Sequence, residues 1–174
     1  MINCCEIASG RAVYPSDVAL PGMLFAAVLR SPHPNAVVKG IDARAAEGMP
    51  GVAAVLTGAS PGANLPWSYG NDLKGKLFES RCRYEGEPIA AVAAETAYQA
   101  ADALKAIKVD FDVRPPLVDE LKALQAGAPQ VHDGGNRVKP TDRYQRGDVE
   151  QGFAQADVVL EQTYRTECEI HTPL

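Results

Sequence analysis

The stretch of residues 84–119 constrains the fold most, because it contains the successive patterns of a strand, a helix and a second strand. Residues 88–94 form an apolar run with the length of a buried strand. Thr96 follows, and its side-chain oxygen can accept from the free amides at a helix start. One helix face is predicted from residues at the i, i+3, i+4, i+7 spacing, namely Ala97, Ala100, Ala101 and Leu104.

The same stretch ends in a half-buried strand. Ile107, Val109 and Phe111 alternate with charged residues, as expected for a strand with one face in water. Pro115 and Pro116 end it, because proline has no amide hydrogen to donate to a ladder. The first strand is more apolar than the second, so we predict an α+β domain whose mixed sheet, packed by short helices, has a covered middle and a wetter edge.

Three further strands are predicted upstream, at residues 23–30, 36–41 and 52–57. Val38 and Ile41 are the expected anchors of the second of these strands. The prolines within residues 31–35 separate the first two strands, because proline removes backbone donors and biases its predecessor to extended geometry.

A short helix and a long loop are also predicted in this upstream half. Asp42 is predicted to cap a short helix over residues 43–47, and Gly48 to close that helix in the left-handed conformation. Residues 58–75 are predicted to form a long loop that contains Trp67 and Tyr69. Two interpretations of these aromatic residues stay open: they face a partner or ligand channel, or they pin the loop to its own body.

Downstream of the central stretch the pattern becomes weaker. Residues 119–126 are predicted to form a short helix with Leu121 and Leu124 facing inward, and residues 127–146 an extended connector. Asp148 is the expected N-cap of a short amphipathic helix, and residues 158–164 are predicted to form a last strand. The predicted apolar face of that helix consists of Val149, Phe153 and Ala156.

Composition narrows the classes of function. The formal net charge is −5 and no run of basic residues occurs, which disfavours a nucleic-acid partner. No apolar stretch approaches the roughly 18 residues of a membrane span, and the N-terminus lacks the pattern of a signal peptide. The four cysteines, Cys4, Cys5, Cys82 and Cys168, have no spacing typical of zinc or iron–sulfur ligands, which predicts free thiols in a reducing compartment, the cytoplasm.

Several residue pairs are candidates for chemical sites. Metal binding by His33 and His132 lacks the required ligand spacing, and the alternative is a turn histidine hydrogen-bonded to nearby backbone. Cys168 and His171 resemble a nucleophile pair, but on an extended strand an odd separation points them to opposite faces.

Two carboxylates precede the first strand of the central stretch. On a strand Glu85 and Glu87 share a face and can form an acid–base pair, whereas the favoured interpretation is a solvated turn, because Pro88 follows at once. Gly134 and Gly135 do not form a dinucleotide-binding fingerprint.

Several fragments together resemble a known family. The YEGEPIAAVAAE segment at residues 84–95, the PGML and AVLRSPH segments at residues 21–33, and the GDV segment at residues 147–149 are similar in order and spacing to the a/b hammerhead domain. That domain opens the large subunit of the molybdenum hydroxylases related to xanthine dehydrogenase and aldehyde oxidase. Asn35 and Val37 depart from the family, which often has a histidine and an arginine there.

The resemblance implies an organisation and a role. It implies an entry segment over residues 1–18, a hammerhead domain over residues 19–126, and a connector with a helix and strand over residues 127–174 that leads toward a molybdopterin-binding domain outside this sequence. The parent enzyme would use molybdopterin, iron–sulfur clusters and often FAD. This chain would supply scaffold and part of the substrate funnel, and no catalytic, cofactor-binding or metal-binding residue is assigned to it.

Two other functions stay open at this point. One is a free-standing binding or assembly module that docks on a separate catalytic subunit. The other is a small acid–base enzyme that uses Glu85 and Glu87. The expected partners of a hammerhead domain or an assembly module are the molybdopterin-binding polypeptide and the iron–sulfur and FAD subunits, and an exposed apolar docking patch is expected to support self-association.

Overall fold

The computed structural model describes residues 4–63, 65–69, 73–137, 139 and 141–166; for residues 67–69, 73 and 74 it describes the backbone alone. The chain divides into two compact units, Met1–Asn136 and Arg137–Leu174. The strands are β1 (Phe25–Arg30), β2 (Ala36–Asp42), β3 (Val52–Thr57), β4 (Pro66–Tyr69), β5 (Leu73–Lys76), β6 (Arg81–Cys82), β7 (Pro88–Ala94) and β8 (Lys108–Val113). The helices are α1 (Cys4–Ala8), a 3-10 turn (Pro15–Asp17), α2 (Arg44–Glu47), α3 (Ala97–Ala106), α4 (Glu120–Ala123) and α5 (Val149–Ala154).

The strands of the first unit form three antiparallel sheets. One sheet has the order β1-β7-β3, the second β6-β2-β8, and the third is the β4-β5 hairpin. The predicted α+β class is confirmed. The prediction of one mixed sheet is wrong, because each strand pairing in the described part of the chain is antiparallel and the strands form separate sheets. The central stretch therefore starts in the middle of one sheet and ends at the edge of another.

The helix α3 links these two sheets and covers one face of the first. Thr96 caps it as predicted, since its side-chain oxygen accepts from the Gln99 amide. Its predicted inward face is confirmed in part: Ala100 is buried, whereas Ala97 and Ala101 are exposed, and Ala103 is buried instead. Leu104, the fourth residue of the predicted face, packs against the core that contains Ile107.

Two cores stabilise the first unit. The first lies between the sheet and the helices and contains Ala46, Ala90, Val92, Ala103 and Ile107. The second joins the two three-stranded sheets and contains Ala36, Cys82 and Ile89. The predicted anchors Val38 and Ile41 pack against these cores, one on each, so that part of the prediction is confirmed.

Residues around α2 correct two cap predictions. The N-cap is Ala43, and Asp42 is the last residue of β2, although its carboxylate accepts from the Arg44 amide at 3.2 Å. The Arg44 guanidinium also donates to both Asp42 oxygens and lowers the pKa of that carboxyl to about 2. Gly48 has φ −83°, which is right-handed, because the next turn uses Gly51 at φ +78° as its left-handed residue.

The predicted loop over residues 58–75 contains the β4-β5 hairpin, with Pro66 opposite Lys76 and Tyr69 opposite Leu73. The side chains of Trp67 and Tyr69 lie outside the described residues. The short strand β6 was not predicted either, because two residues give no periodic signal.

The later elements agree only in part. α4 forms and Asp119 caps it, but Leu121 is 65% exposed and Leu124 is also exposed, so their predicted inward orientation is wrong. Asp148 caps α5 as predicted, through the Gln151 amide.

The predicted strand over residues 158–164 is absent. These residues are exposed and carry no ladder, because a strand needs a neighbour and no strand of their own unit is described. Within the described part of the chain, no helix combines the length and apolar character that crossing a membrane requires.

Candidate functional site

The most buried polar side chains lie where the turn after β1 meets the turn before β7. Ser31 is buried, its hydroxyl donates to the His33 carbonyl at 2.9 Å, and it accepts from the His33 amide at 3.1 Å. The Ser31 amide donates to the Glu87 carbonyl at 2.9 Å, and the Gly86 amide donates to the Ser31 carbonyl at 2.8 Å. The prolines around this turn leave few backbone donors, so the serine hydroxyl supplies the missing hydrogen bonds.

An ion cluster occupies the adjacent position. The Arg83 Nη1 atom lies 3.8 Å from Glu87 Oε1 and 4.0 Å from Glu79 Oε1, and all three side chains are largely buried. The Arg83 amide also donates to the Glu87 carboxylate. One guanidinium therefore serves two carboxylates, which leaves the cluster with an excess of negative charge when both are ionised.

The excess negative charge and the burial of the cluster both affect the pKa values of its residues. Burial raises the pKa of Glu87, and Arg83 opposes that rise less strongly than burial drives it. Burial likewise raises the pKa of the Cys82 thiol, which a hydrogen bond with Ser31 partly offsets. All three described cysteines are free thiols: Cys82 is buried, whereas Cys4 and Cys5 are exposed.

The predicted acid–base pair is not brought together. Glu85 is exposed in the turn at residues 84–86, whereas Glu87 is buried against Arg83. The turn interpretation is confirmed for Glu85, but Glu87 is not solvated, because Arg83 contacts its carboxylate in a buried position. Both residues precede β7, so the shared strand face assumed for an acid–base pair at Glu85 and Glu87 does not form.

His33 and His132, the histidines among the described residues, both lie in turns. The His33 ring meets the Phe111 ring edge-on, with centroids 5.0 Å apart and planes at 80°. His132 is half-buried, and its carbonyl accepts from the Gly135 amide at 2.9 Å. Gly135 has φ +97° and makes a turn. Over the described ranges, no group of three or more histidine, cysteine, aspartate or glutamate side chains is placed to hold a metal.

The predicted Cys168 and His171 pair lies outside the described residues.

The two arginines of the β6 region hold a distant segment in place. Arg81 donates to the Gln130 carbonyl, and Arg83 Nε donates to the Val131 carbonyl at 3.2 Å. Asn136 then fixes the segment, because its side chain accepts from the Val131 amide and donates to two carbonyls of residues 123 and 129. The connector up to residue 136 is therefore part of the first unit in its bonding.

Sequence reasoning missed Arg83 as the centre of this network. Its only signal was the Arg-x-x-x-Glu spacing, which also occurs on ordinary solvated surfaces.

A cleft of about 360 Å³ opens beside β2. Its lining includes the apolar side chains of Phe78 and Ile89 together with Lys39 and Glu79. The Glu79 carboxylate also accepts from the Lys76 amide at 3.0 Å, so this side of the cleft belongs to the same ion cluster.

Comparison with known proteins places this geometry in context. Residues 9–115 match the family described as "Aldehyde oxidase and xanthine dehydrogenase, a/b hammerhead domain". The chain is 38% identical, over 94% of its length, to a probable xanthine dehydrogenase subunit of Bacillus subtilis, of which it covers 22%. It is 33% identical, over 95% of its length, to the nicotinate dehydrogenase large molybdopterin subunit of Eubacterium barkeri, of which it covers 39%.

Solved structures agree. Quinoline 2-oxidoreductase from Pseudomonas putida 86 matches with a TM-score of 0.75 and 29% identity, over 88% of this chain and 20% of that one. The aldehyde oxidoreductase of Desulfovibrio gigas matches with a TM-score of 0.72 and 26% identity, over 90% of this chain and 19% of that one. The present chain thus spans well under half of the relatives that it matches.

Proposed function

Because the chain belongs to the a/b hammerhead domain family of aldehyde oxidase and xanthine dehydrogenase, we propose that it serves as the hammerhead part of a molybdopterin-dependent hydroxylase. In that enzyme it acts as scaffold and forms part of the substrate funnel. The observation that carries the proposal is the continuity of the likeness, which reaches beyond residue 115 and includes 95% of the chain in a large molybdopterin subunit.

The chemistry of such an enzyme belongs to its cofactors. Molybdopterin supplies the hydroxylation of an aldehyde, an N-heterocycle, carbon monoxide or an acyl-CoA aromatic compound, with iron–sulfur clusters and often FAD as electron carriers. The described cysteines do not fit an iron–sulfur cluster: Cys4 and Cys5 are adjacent rather than spaced as ligands, and Cys82 is buried in the second core. We therefore assign the cofactors to other polypeptide.

Apolar side chains in the second unit support a partner. Phe153 on α5 is 60% exposed, and Val158 and Leu160 in the extended segment are also exposed. Contiguous exposed apolar surface marks protein contact sites, so we infer that these side chains are covered by a partner. We assign this contact to the molybdopterin-binding polypeptide of the same complex, which would also contain the iron–sulfur and FAD subunits and work in the cytoplasm.

The test is co-production of the chain with the molybdopterin-binding polypeptide proposed above. We expect a stable complex that contains molybdenum by elemental analysis and reduces a dye with one of the substrate classes above. The chain alone should contain no molybdenum and show no turnover.

Two results would count against the proposal. Turnover by the chain alone would make it a small enzyme in its own right. Full activity of the catalytic polypeptide without this chain, together with binding between them, would favour the free-standing assembly module.

A further inference from the structure

The sheet β1-β7-β3 has one face that α3 covers and one that it does not. Directly opposite residues of an antiparallel pair point to the same side of a sheet. The strand register therefore places two rows of side chains on the face away from α3. These six residues, which we name the outer face, are Val28, Ala91 and Leu56 in one row and Ala26, Ala93 and Ala54 in the other.

The outer face is accessible and entirely apolar. Val28 is 40% exposed and Leu56 is 43% exposed, and the alanines of both edge strands are exposed. The second sheet differs, since the exposed side of β8 carries Lys108 and Asp110. An antiparallel sheet with one face in water normally alternates apolar and polar residues in that way. The composition of the outer face is that of a covered surface.

The relief of this face suits a helix. Ala91 of the central strand forms a trough between Val28 and Leu56 on the two flanking strands, whereas the other row consists of alanine alone. Those two strands are separated by two strand spacings, which is roughly 10 Å and close to the diameter of a helix. The opposite face already accommodates a helix in this manner, since Ala103 of α3 packs in one cluster with Ala90 and Val92.

We propose that the outer face is the docking surface for an apolar helix of the remaining large-subunit polypeptide, lying along β7 between Val28 and Leu56. This inference rests on the proposed function. The occupant follows from two observations: the large-subunit relatives contain far more polypeptide than this chain spans, and the trough has no charged group that would select a polar partner.

The experiment uses the chain assembled with the molybdopterin-binding polypeptide. A carboxylate placed in a closed apolar contact has no partner, so Val28→Asp and Leu56→Asp should each weaken assembly about a hundredfold or more. Val118→Asp is the matched control, because Val118 is 85% exposed and lies outside the outer face. It should assemble like the wild type.

A second measurement does not depend on disruptive variants. Ala54→Cys puts a thiol on the outer face, and its maleimide labelling is read from the peptide that contains residue 54. The labelling rate should fall roughly tenfold on assembly, as expected for a contact that opens only in a minor population. Val118→Cys should label at the same rate in both states.

The outcomes separate the two proposals. Normal assembly of Val28→Asp and Leu56→Asp, with unchanged labelling of Ala54→Cys in an active complex, overturns the docking surface and leaves the proposed function intact. If a concentrated sample of the isolated chain already protects Ala54→Cys and assembly adds no further protection, a second copy is the occupant, which also overturns the inference. Failure of the wild-type chain to assemble overturns the proposed function and the docking surface with it.

Discussion

Val92→Ala should lower the free energy of unfolding by about 2.5 kcal/mol. Val92 is 1% exposed at the centre of β7, and its fully buried neighbours include Ala46, Ala90 and Ala103. The change removes two buried methyl-sized groups, about 1.6 kcal/mol of lost transfer free energy. Single deletions of this kind cost about 0.5–1.5 kcal/mol, so two cost roughly 1–3 kcal/mol. The neighbouring alanines have no side-chain torsion by which they could move into the cavity. We therefore expect a cost in the upper half of this range.

The assay is urea unfolding followed by far-ultraviolet circular dichroism. The midpoint should fall with an unchanged slope, and the melting temperature should drop by roughly 5–10 °C for a chain of this size. Val118→Ala makes the same chemical change at a side chain that is 85% exposed, and should stay within about 0.5 kcal/mol of the wild type. Equal stability of the two variants would refute the idea that the alanine-lined core is rigid.

Three further predictions concern a cap, a turn and a buried acid. Thr96→Ala should cost about 1 kcal/mol in urea unfolding because the Gln99 amide loses its acceptor, whereas Thr96→Ser should not; equal losses would contradict the cap. Gly51→Ala should cost roughly 1–2 kcal/mol, since Gly51 has φ +78°, a left-handed conformation that is unfavourable for alanine; a neutral result would exclude this strain. Burial raises the pKa of the Glu87 carboxyl above 4.5 in the folded state. The protonated carboxyl therefore stabilises the folded state fully below pH 4.5, and this stabilisation is lost as pH rises through the raised pKa. Glu87→Gln should therefore flatten the pH dependence of unfolding in that window, and exposed Glu85→Gln should not; identical profiles for both variants would contradict the assignment.

Local patterns predicted the elements whose cause is local. The apolar run of β7, the Thr96 cap and the alternation of β8 each depend on residues within one turn or strand. These elements form where the sequence indicates. The α+β class follows from them, since strands interrupted by one helix and several turns allow few other arrangements.

Pairing across the chain was not predictable in this way. β7 pairs with β1 and β3, while β8 pairs with β2, and no local pattern specifies that choice. Residues 158–164 have the alternation of a strand but no described neighbour to pair with. Leu121 and Leu124 have the spacing of a helix face, yet α4 has no core beside it to bury them. Periodicity reports which side chains share a face, and long-range contacts decide whether that face is covered.

The residues of the candidate site also divide into those set by local sequence and those set by long-range contacts. Sequence spacing correctly identified a turn at Glu85 but not the burial of Glu87 two residues later, because Arg83 and Glu79 reach it only after β6 and β7 have paired with different sheets.

Arg81 and Arg83 donate hydrogen bonds to the carbonyls of Gln130 and Val131. These bonds limit where the domain can be truncated. The two arginines reach 49 and 48 residues along the chain. A shortened version that stops at residue 115, where the family match stops, would leave both guanidinium groups without these acceptors. Chimeras and crystallisation fragments should therefore keep every residue through Asn136, whose amide secures the same segment.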